Sequence, residues 1–417
     1  MVLTTLLIIA LVGGLYMAWN IGANDVANAF GASVGGGALT IRHAIVLAAI
    51  FEFGGAFLVG APVAETISGS IVSPDNFTVD PKVLAIGMLA ALLGASIWLN
   101  IATFFGQPVS TTHAIIGGVV GFAVVSCGPA CVHWLEMGTI AASWVVSPLI
   151  GGILAYSIYR WGIRRYVLNS RHPVFMAMAF VPVGMGALAA IVTFSVVFRG
   201  LPGLRLDLPL EWAAPIAAGA GLVVAAAIRL VLRKRMWRHG VPRAERYKTV
   251  ERCFGYMQVA TASYMSFAHG ANDCANAIGP LAAAIQIIGN PTEVPAKIAI
   301  PPWLLAFGGI GIVLGLSTYG YKVIQTIGKN ITEITPTRGF SSDFGTATTV
   351  LVFSKLGMPI STTFVVVGAV MGVGLARGFA ALDLTVIRRI FMSWLITIPT
   401  SAVLSIVLYW LLMEIFG

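Results

Sequence analysis

Apolar residues run through this chain in long unbroken stretches, and twelve of these reach or approach membrane-spanning length. They lie near residues 2–18, 41–62, 82–105, 112–126, 139–159, 174–198, 212–232, 253–268, 302–322, 342–357, 360–376 and 389–415. About 20 apolar residues cross a hydrocarbon core as a helix. Strand-like alternation is absent, so the pattern predicts an all-α integral membrane protein of about 12 transmembrane helices. Several runs are short or interrupted by Gly and Pro. The first, Val2 to Met17, lacks a basic leader and is read as a mature span.

Polar residues within the runs recur in pairs. Gly22-Ala23-Asn24-Asp25-Val26-Ala27-Asn28-Ala29 returns as Gly270-Ala271-Asn272-Asp273-Cys274-Ala275-Asn276-Ala277, differing at one position. Gly106-Gln107-Pro108-Val109-Ser110-Thr111-Thr112 matches Gly357-Met358-Pro359-Ile360-Ser361-Thr362-Thr363, and Trp144 answers Trp394. The offsets are 248, 251 and 250 residues, as expected of a duplicated unit. This divides the chain into a first repeat (1–160), a connecting pair of spans (161–252) and a second repeat (253–417). Five runs fall in each repeat and two between them, so the second repeat enters the membrane from the opposite face. Two inverted repeats with broken or half helices at the midplane are the expected arrangement, the architecture of alternating-access transporters.

Charge sets the orientation. With both termini outside, 20 of the 25 Lys and Arg fall on the inner side, including the cluster Arg229, Arg233, Lys234, Arg235, Arg238, Arg243, Arg246, Lys248 and Arg252. That bias follows the positive-inside rule. The net charge of +9 therefore reflects membrane topology and anionic lipid rather than nucleic acid. With 58% apolar and 10% charged residues the chain reads as an integral membrane protein, expected as a multi-pass protein of the cell membrane. Cys127 and Cys131 are either a disulfide or two thiols.

An ionisable group inside a span costs roughly 2.5–3.5 kcal/mol on insertion scales, so its presence points to function. On a helix Asp25 and Asn28 share a face, as do Asp273 and Asn276. Gly22 and Gly31 flank the first copy and Gly270, Gly279 and Pro280 the second, so each helix is expected to unwind and expose carbonyls. Oxygen ligands of this kind suit a hard cation such as Na⁺. One copy could be interhelical polar glue; two at matching places favour ion sites. The Pro-x-Ser-Thr-Thr segments read as helix starts, whose free N–H groups and partial positive charge cradle anions. Ser110, Thr111, Thr112, Ser361, Thr362 and Thr363 are therefore the candidate oxyanion contacts, with Gln107, Asn24 and Asn272 beside them. No Lys or Arg lies deep in a span, so co-bound cations must offset the anion's charge. Glu52 and Asp343 are further candidate cation ligands; Glu52 maps near Ala306 and Asp343 near Leu92. Glu65 reads as interfacial. His113 and His269 read as structural histidines ahead of proton carriers.

These residues resemble the inorganic phosphate transporter (PiT) family, in the doubled Gly-Ala-Asn-Asp-x-Ala-Asn-Ala signature, the paired Pro-x-Ser-Thr-Thr segments and Thr335-Pro336-Thr337-Arg338-Gly339-Phe340-Ser341. The resemblance implies a twelve-span inverted-repeat fold that imports phosphate with Na⁺, with the matching aspartates binding cations and the Ser-Thr-Thr segments contacting phosphate. Cys274, Asp343 and Phe364 depart from its usual Val, Glu and His. Sulfate is the alternative substrate and H⁺ the alternative driver. The implied partners are phosphate, Na⁺ and membrane lipid, with no organic cofactor and no nucleic acid; a homodimer is compatible. An intramembrane enzyme or a channel are the alternatives from other classes. An enzyme needs neither motif twice.

Overall fold

The computed structural model describes residues 2–35, 37–72, 77, 80–105, 109–198, 208–236, 245–290, 294–295, 297–320, 335–378 and 384–417. Gln107 lies outside them, as do Arg238, Arg243, Lys322 and Lys329 of the charge count. Thirteen α-helices account for the described chain: α1 (Val2–Gly35), α2 (Ile41–Val59), α3 (Ala61–Gly69), α4 (Pro81–Phe104), α5 (Thr111–Cys127), α6 (Trp134–Ser157), α7 (Pro173–Val197), α8 (Leu210–Met236), α9 (Arg246–Gly289), α10 (Pro302–Gly315), α11 (Pro336–Lys355), α12 (Thr362–Arg377) and α13 (Leu384–Phe416). Wider π-helical turns extend α6 through Leu168 and α10 through Gly320. Each of the twelve apolar runs lies on a different helix, and α3 is a short extra one. Among the described residues, eight helical segments, those built on α1, α2, α4, α6, α7, α8, α10 and α13, are long and apolar enough to span a membrane. The chain is a multi-pass membrane protein.

The helices begin where sequence chemistry starts them. Thr40 and Asp80 cap α2 and α4, their side chains accepting from His43 N and Lys82 N. Ser110 and Ser361 cap α5 and α12 in the same way. Those two helices have 17 and 16 residues, about 25 Å each at 1.5 Å per residue, short of a full crossing.

The expected unwinding at the Asn-Asp motifs does not occur. α1 runs unbroken through Gly22 and Gly31, and α9 runs through Gly270, Gly279 and Pro280 for 44 residues. The glycines serve close packing instead. A side chain on Gly22 would run into the Ile312 carbonyl of α10, and one on Gly270 into the Glu52 carbonyl of α2. The reverse approaches match, with Gly315 against the Trp19 carbonyl and Gly55 against that of Phe267. Small residues let backbones close up where lipid offers no hydrophobic drive. Continuity is thus kept by neighbours at positions that would otherwise favour a break. Pro280 still has no N–H for the Asn276 carbonyl one turn back.

These contacts also correct the counterpart of Glu52. Corresponding contacts pair Glu52 with Ile312 rather than Ala306, because the link between α9 and α10 is longer than that between α1 and α2. Similar pairings continue elsewhere: Gly117 packs on the Ile398 carbonyl of α13, and Gly368 on the Pro148 carbonyl of α6. The main core joins α1, α2, α4, α5, α9, α10 and α11, while α7 and α8 pack on each other through Gly186 and Gly221. Cys127 and Cys131 form a disulfide. Glu65 pairs with exposed Lys297 at 2.9 Å, in keeping with an interfacial position.

Candidate functional site

Six helices converge at the centre. α1 brings Asn24, Asp25 and Asn28; α9 brings His269, Asn272, Asp273 and Asn276; α2 brings Glu52. α5 and α12 point their first residues at this group, while α11 ends beside it at Ser354. Asp25, Glu52, His269 and Asp273 are all at least 98% buried. No contact of this kind is legible in local pattern, since every element comes from a distant part of the chain.

The two aspartates sit in different surroundings. Asp25 Oδ1 accepts from Asn24 Nδ2 (3.2 Å) and Asn28 Nδ2 (3.3 Å), whereas its Oδ2 has no hydrogen-bond partner. Asp273 Oδ2 accepts from Thr362 Oγ1 (2.9 Å) and Thr111 Oγ1 (3.4 Å), one hydroxyl from each Ser-Thr-Thr segment. Both helix starts therefore meet at one carboxylate oxygen. Asn28 Nδ2 donates to Thr363 Oγ1 (3.1 Å), and Asn276 Nδ2 donates to Thr111 Oγ1 (3.3 Å) and Thr112 Oγ1 (3.2 Å). Thr112 in turn donates to the Ile360 carbonyl.

Ser110 and Ser361 have a separate task. Their hydroxyls accept from His113 N (3.2 Å) and Phe364 N (3.4 Å), fixing the first turn of each helix. Thr103 and Ser354, which sequence reasoning passed over, hold the motif asparagines. Thr103 Oγ1 donates to Asn24 Oδ1 (3.1 Å), and the Asn272 amide lies 3.1 Å from Ser354 Oγ. Both lie near the ends of apolar runs that carry other hydroxyls too, a weak signal that the repeat offset of 251 would have strengthened.

Histidine 269 is the residue whose importance the sequence least disclosed. Its Nδ1 lies 2.7 Å from Glu52 Oε2, and its Nε2 lies 2.9 Å from Asp273 Oδ2 and 3.7 Å from Asp25 Oδ2. The imidazole thus stands among three carboxyl groups. His113 has apolar company, its ring centroid 3.9 Å from Trp144 and 4.7 Å from Phe364.

A phosphate transporter family model matches residues 21–405, which include every element of this centre. The chain belongs to the phosphate transporter family. A solved structure titled the sodium-dependent phosphate transporter is 41% identical, with a TM-score of 0.92, and the match covers 99% of this chain and 100% of that one. A Pyrococcus abyssi protein, a phosphate permease by assignment, is 46% identical over 404 residues, 97% of each chain. Arabidopsis thaliana inorganic phosphate transporter 2-1, chloroplastic, is 44% identical over 431 residues, covering 96% of this chain and 71% of that one. Membership makes the chain a transporter rather than an enzyme.

Asp343 stands apart from the centre of this phosphate transporter. It lies on α11 eleven residues before Ser354, about 16 Å along the helix axis. It is buried, and its Oδ2 has no hydrogen-bond partner. One turn earlier, Gly339 abuts the buried side chain of Gln258 on α9. The Glu52 side chain, by contrast, meets the centre through His269.

Proposed function

We propose that this chain is a secondary symporter that carries inorganic phosphate into the cell with Na⁺, by alternating access between two inverted repeats of a twelve-span fold. The reading divides the chain at residues 1–160, 161–252 and 253–417, with both termini outside the cell membrane. The observation that carries it is the meeting of Thr111 and Thr362 on Asp273 Oδ2, beside Asp25. Anion-binding helix starts from both halves and cation-binding carboxylates from both halves share one buried centre.

The chemistry follows from that proximity. Phosphate is held by the starts of α5 and α12, through Thr111, Thr112, Thr362 and Thr363 and the free N–H groups behind the capping Ser110 and Ser361, with Asn24 and Asn272 adjoining. Na⁺ is held by Asp25 with Asn28 and by Asp273 with Asn276, all oxygen donors suited to a hard ion. Three carboxyl groups around one imidazole repel an oxyanion until cations are bound, so coupling is electrostatic. Glu52 supports the centre from behind His269, and Asp343 offers a separate carboxylate along α11. The resemblance to a transporter titled sodium-dependent supports Na⁺ as the driving ion.

Uptake into liposomes tests the reading. Radiolabelled phosphate should accumulate against its gradient only when an inward Na⁺ gradient is imposed. Accumulation driven equally by a proton gradient without Na⁺, preferential uptake of sulfate, or downhill leak indifferent to Na⁺ would each replace it.

A further inference from the structure

The chain enters α12 through a short linker, residues 357–360, whose backbone is held from three other helices. α11 ends in a tight reversal at Gly357, which has φ 72°. The Gly357 N–H donates to the Ser354 carbonyl (3.0 Å) and the Met358 N–H to that of Phe353 (2.9 Å). Paired bonds of this kind close a helix on a left-handed glycine. They commit those linker N–H groups to α11, and Pro359 has none. The linker's carbonyls still need donors, because an unpaired acceptor is costly where it is buried, as Pro359 and Ile360 are.

Side chains from distant parts of the chain supply them. Thr66 Oγ1 on α3 lies 2.7 Å from the Gly357 carbonyl, closer than the 3.3 Å to Pro62 in its own helix. Trp144 Nε1 on α6 donates to the Pro359 carbonyl at 3.0 Å. Thr112 Oγ1 on α5 donates to the Ile360 carbonyl at 3.0 Å. Ser361 then caps α12. Trp144 is buried, and it belongs to the duplicated pattern without having a part in the chemistry above. Its helix also supports the body of α12, where Gly368 and Gly372 abut the carbonyls of Pro148 and Gly152.

We propose that Trp144 and Thr66 are positioning residues that fix the start of α12, and that the cradle so fixed selects among tetrahedral oxyanions. The inference rests on the reading of α12 as a phosphate-binding helix given above. Two effects come from the same bonds. A carbonyl is the negative end of a peptide dipole, so donors on the Gly357 and Pro359 oxygens weaken their repulsion of an anion seated a few residues further on. They also stop the linker from shifting, which sets the first N–H groups of α12 before the anion arrives. Arsenate has the charge and shape of phosphate but longer bonds, and a cradle that cannot widen disfavours it.

The test uses the purified full-length protein in detergent with Na⁺ present, radiolabelled phosphate as probe and arsenate as competitor. Trp144→Phe deletes the N–H and keeps an aromatic ring; Thr66→Val deletes the hydroxyl at nearly equal volume. Each should weaken phosphate binding about three- to tenfold, the scale of one neutral hydrogen bond, and narrow the preference for phosphate over arsenate. Thr66→Ser keeps the hydroxyl and should restore both. The Na⁺ concentration that half-saturates thermal stabilisation in phosphate-free buffer should stay parental in all three, since neither bond involves the carboxylates. The two sites are separate, so a variant that fails to fold leaves the other to decide. Parental affinity and preference in the folded variants overturn the inference while the phosphate reading stands. An equal loss of Na⁺ response also overturns it, by making these residues general supports of the core. A parent protein that binds no phosphate would overturn the reading of α12 and this inference with it.

Discussion

His113 and Phe364 pack edge to face with ring centroids 4.7 Å apart, and the two positions are related by the same 251-residue offset as Ser110 and Ser361. On the proposed repeat division, a residue in contact with its own counterpart stands beside the axis that would relate the two repeats. His113 also packs on Trp144 at 3.9 Å, so its ring works as an aromatic filler at that junction. His113→Phe should therefore leave the Na⁺ and phosphate concentrations for half-maximal uptake unchanged. Its stability cost should stay within about 1.5 kcal/mol, the usual range for a size-conserving apolar exchange. A changed Na⁺ dependence would assign this histidine to the transport chemistry.

The two aspartates should respond differently to neutralisation. Asp25→Asn and Asp273→Asn should each weaken Na⁺ activation, but only Asp273 binds hydroxyls from both helix starts. Hydrogen bonds to a charged group are worth about 1.5–3 kcal/mol, so Asp273→Asn should also raise the half-saturating phosphate concentration about tenfold or more. Kinetics over a matrix of Na⁺ and phosphate concentrations separates the two effects. Parental Na⁺ activation in both variants would defeat the assignment.

Within the hydroxyl pair, geometry ranks the partners. Thr362 donates to Asp273 at 2.9 Å and Thr111 at 3.4 Å. Thr362→Val should accordingly raise the half-saturating phosphate concentration more than Thr111→Val, with both retaining Na⁺ dependence. Equal and parental values would remove these hydroxyls from the phosphate site.

The close helix approaches should be visible as stability. Gly22→Ala and Gly270→Ala force side chains onto the carbonyls of Ile312 and Glu52. Each should destabilise by about 1–3 kcal/mol, the typical cost of overpacking. Gly255 on the same helix as Gly270 has open space around it, so Gly255→Ala should be neutral or stabilising by up to about 1 kcal/mol. Thermal unfolding of the purified variants in detergent, read side by side, decides the comparison.

The centre was legible in sequence to the extent that it was written twice. Asp25, Asp273 and the two threonine pairs stood out because a polar motif inside an apolar run has few explanations, and repetition removed the bland ones. His269 did not stand out, since its place among three carboxyl groups depends on α2 and α1 arriving from far along the chain. The unwinding expected at Gly22 and Gly270 failed for a related reason. Glycine marks both a break and a close contact, and only the neighbouring backbone distinguishes them. Placing the counterpart of Glu52 near Ala306 failed because the link after α9 is longer than the link after α1. Offsets transfer within a helix but not across connections free to change length.

The unbroken course of α9 has a mechanical consequence. Its 44 residues make a rod about 66 Å long, more than twice the thickness of the hydrocarbon layer. Its N-terminal end carries Arg246, Lys248 and Arg252, and Asp273 lies further along the same shaft. Any tilt imposed at the headgroup surface reaches the carboxylate without a joint to absorb it, so the proposed cargo site is geared directly to the lipid boundary.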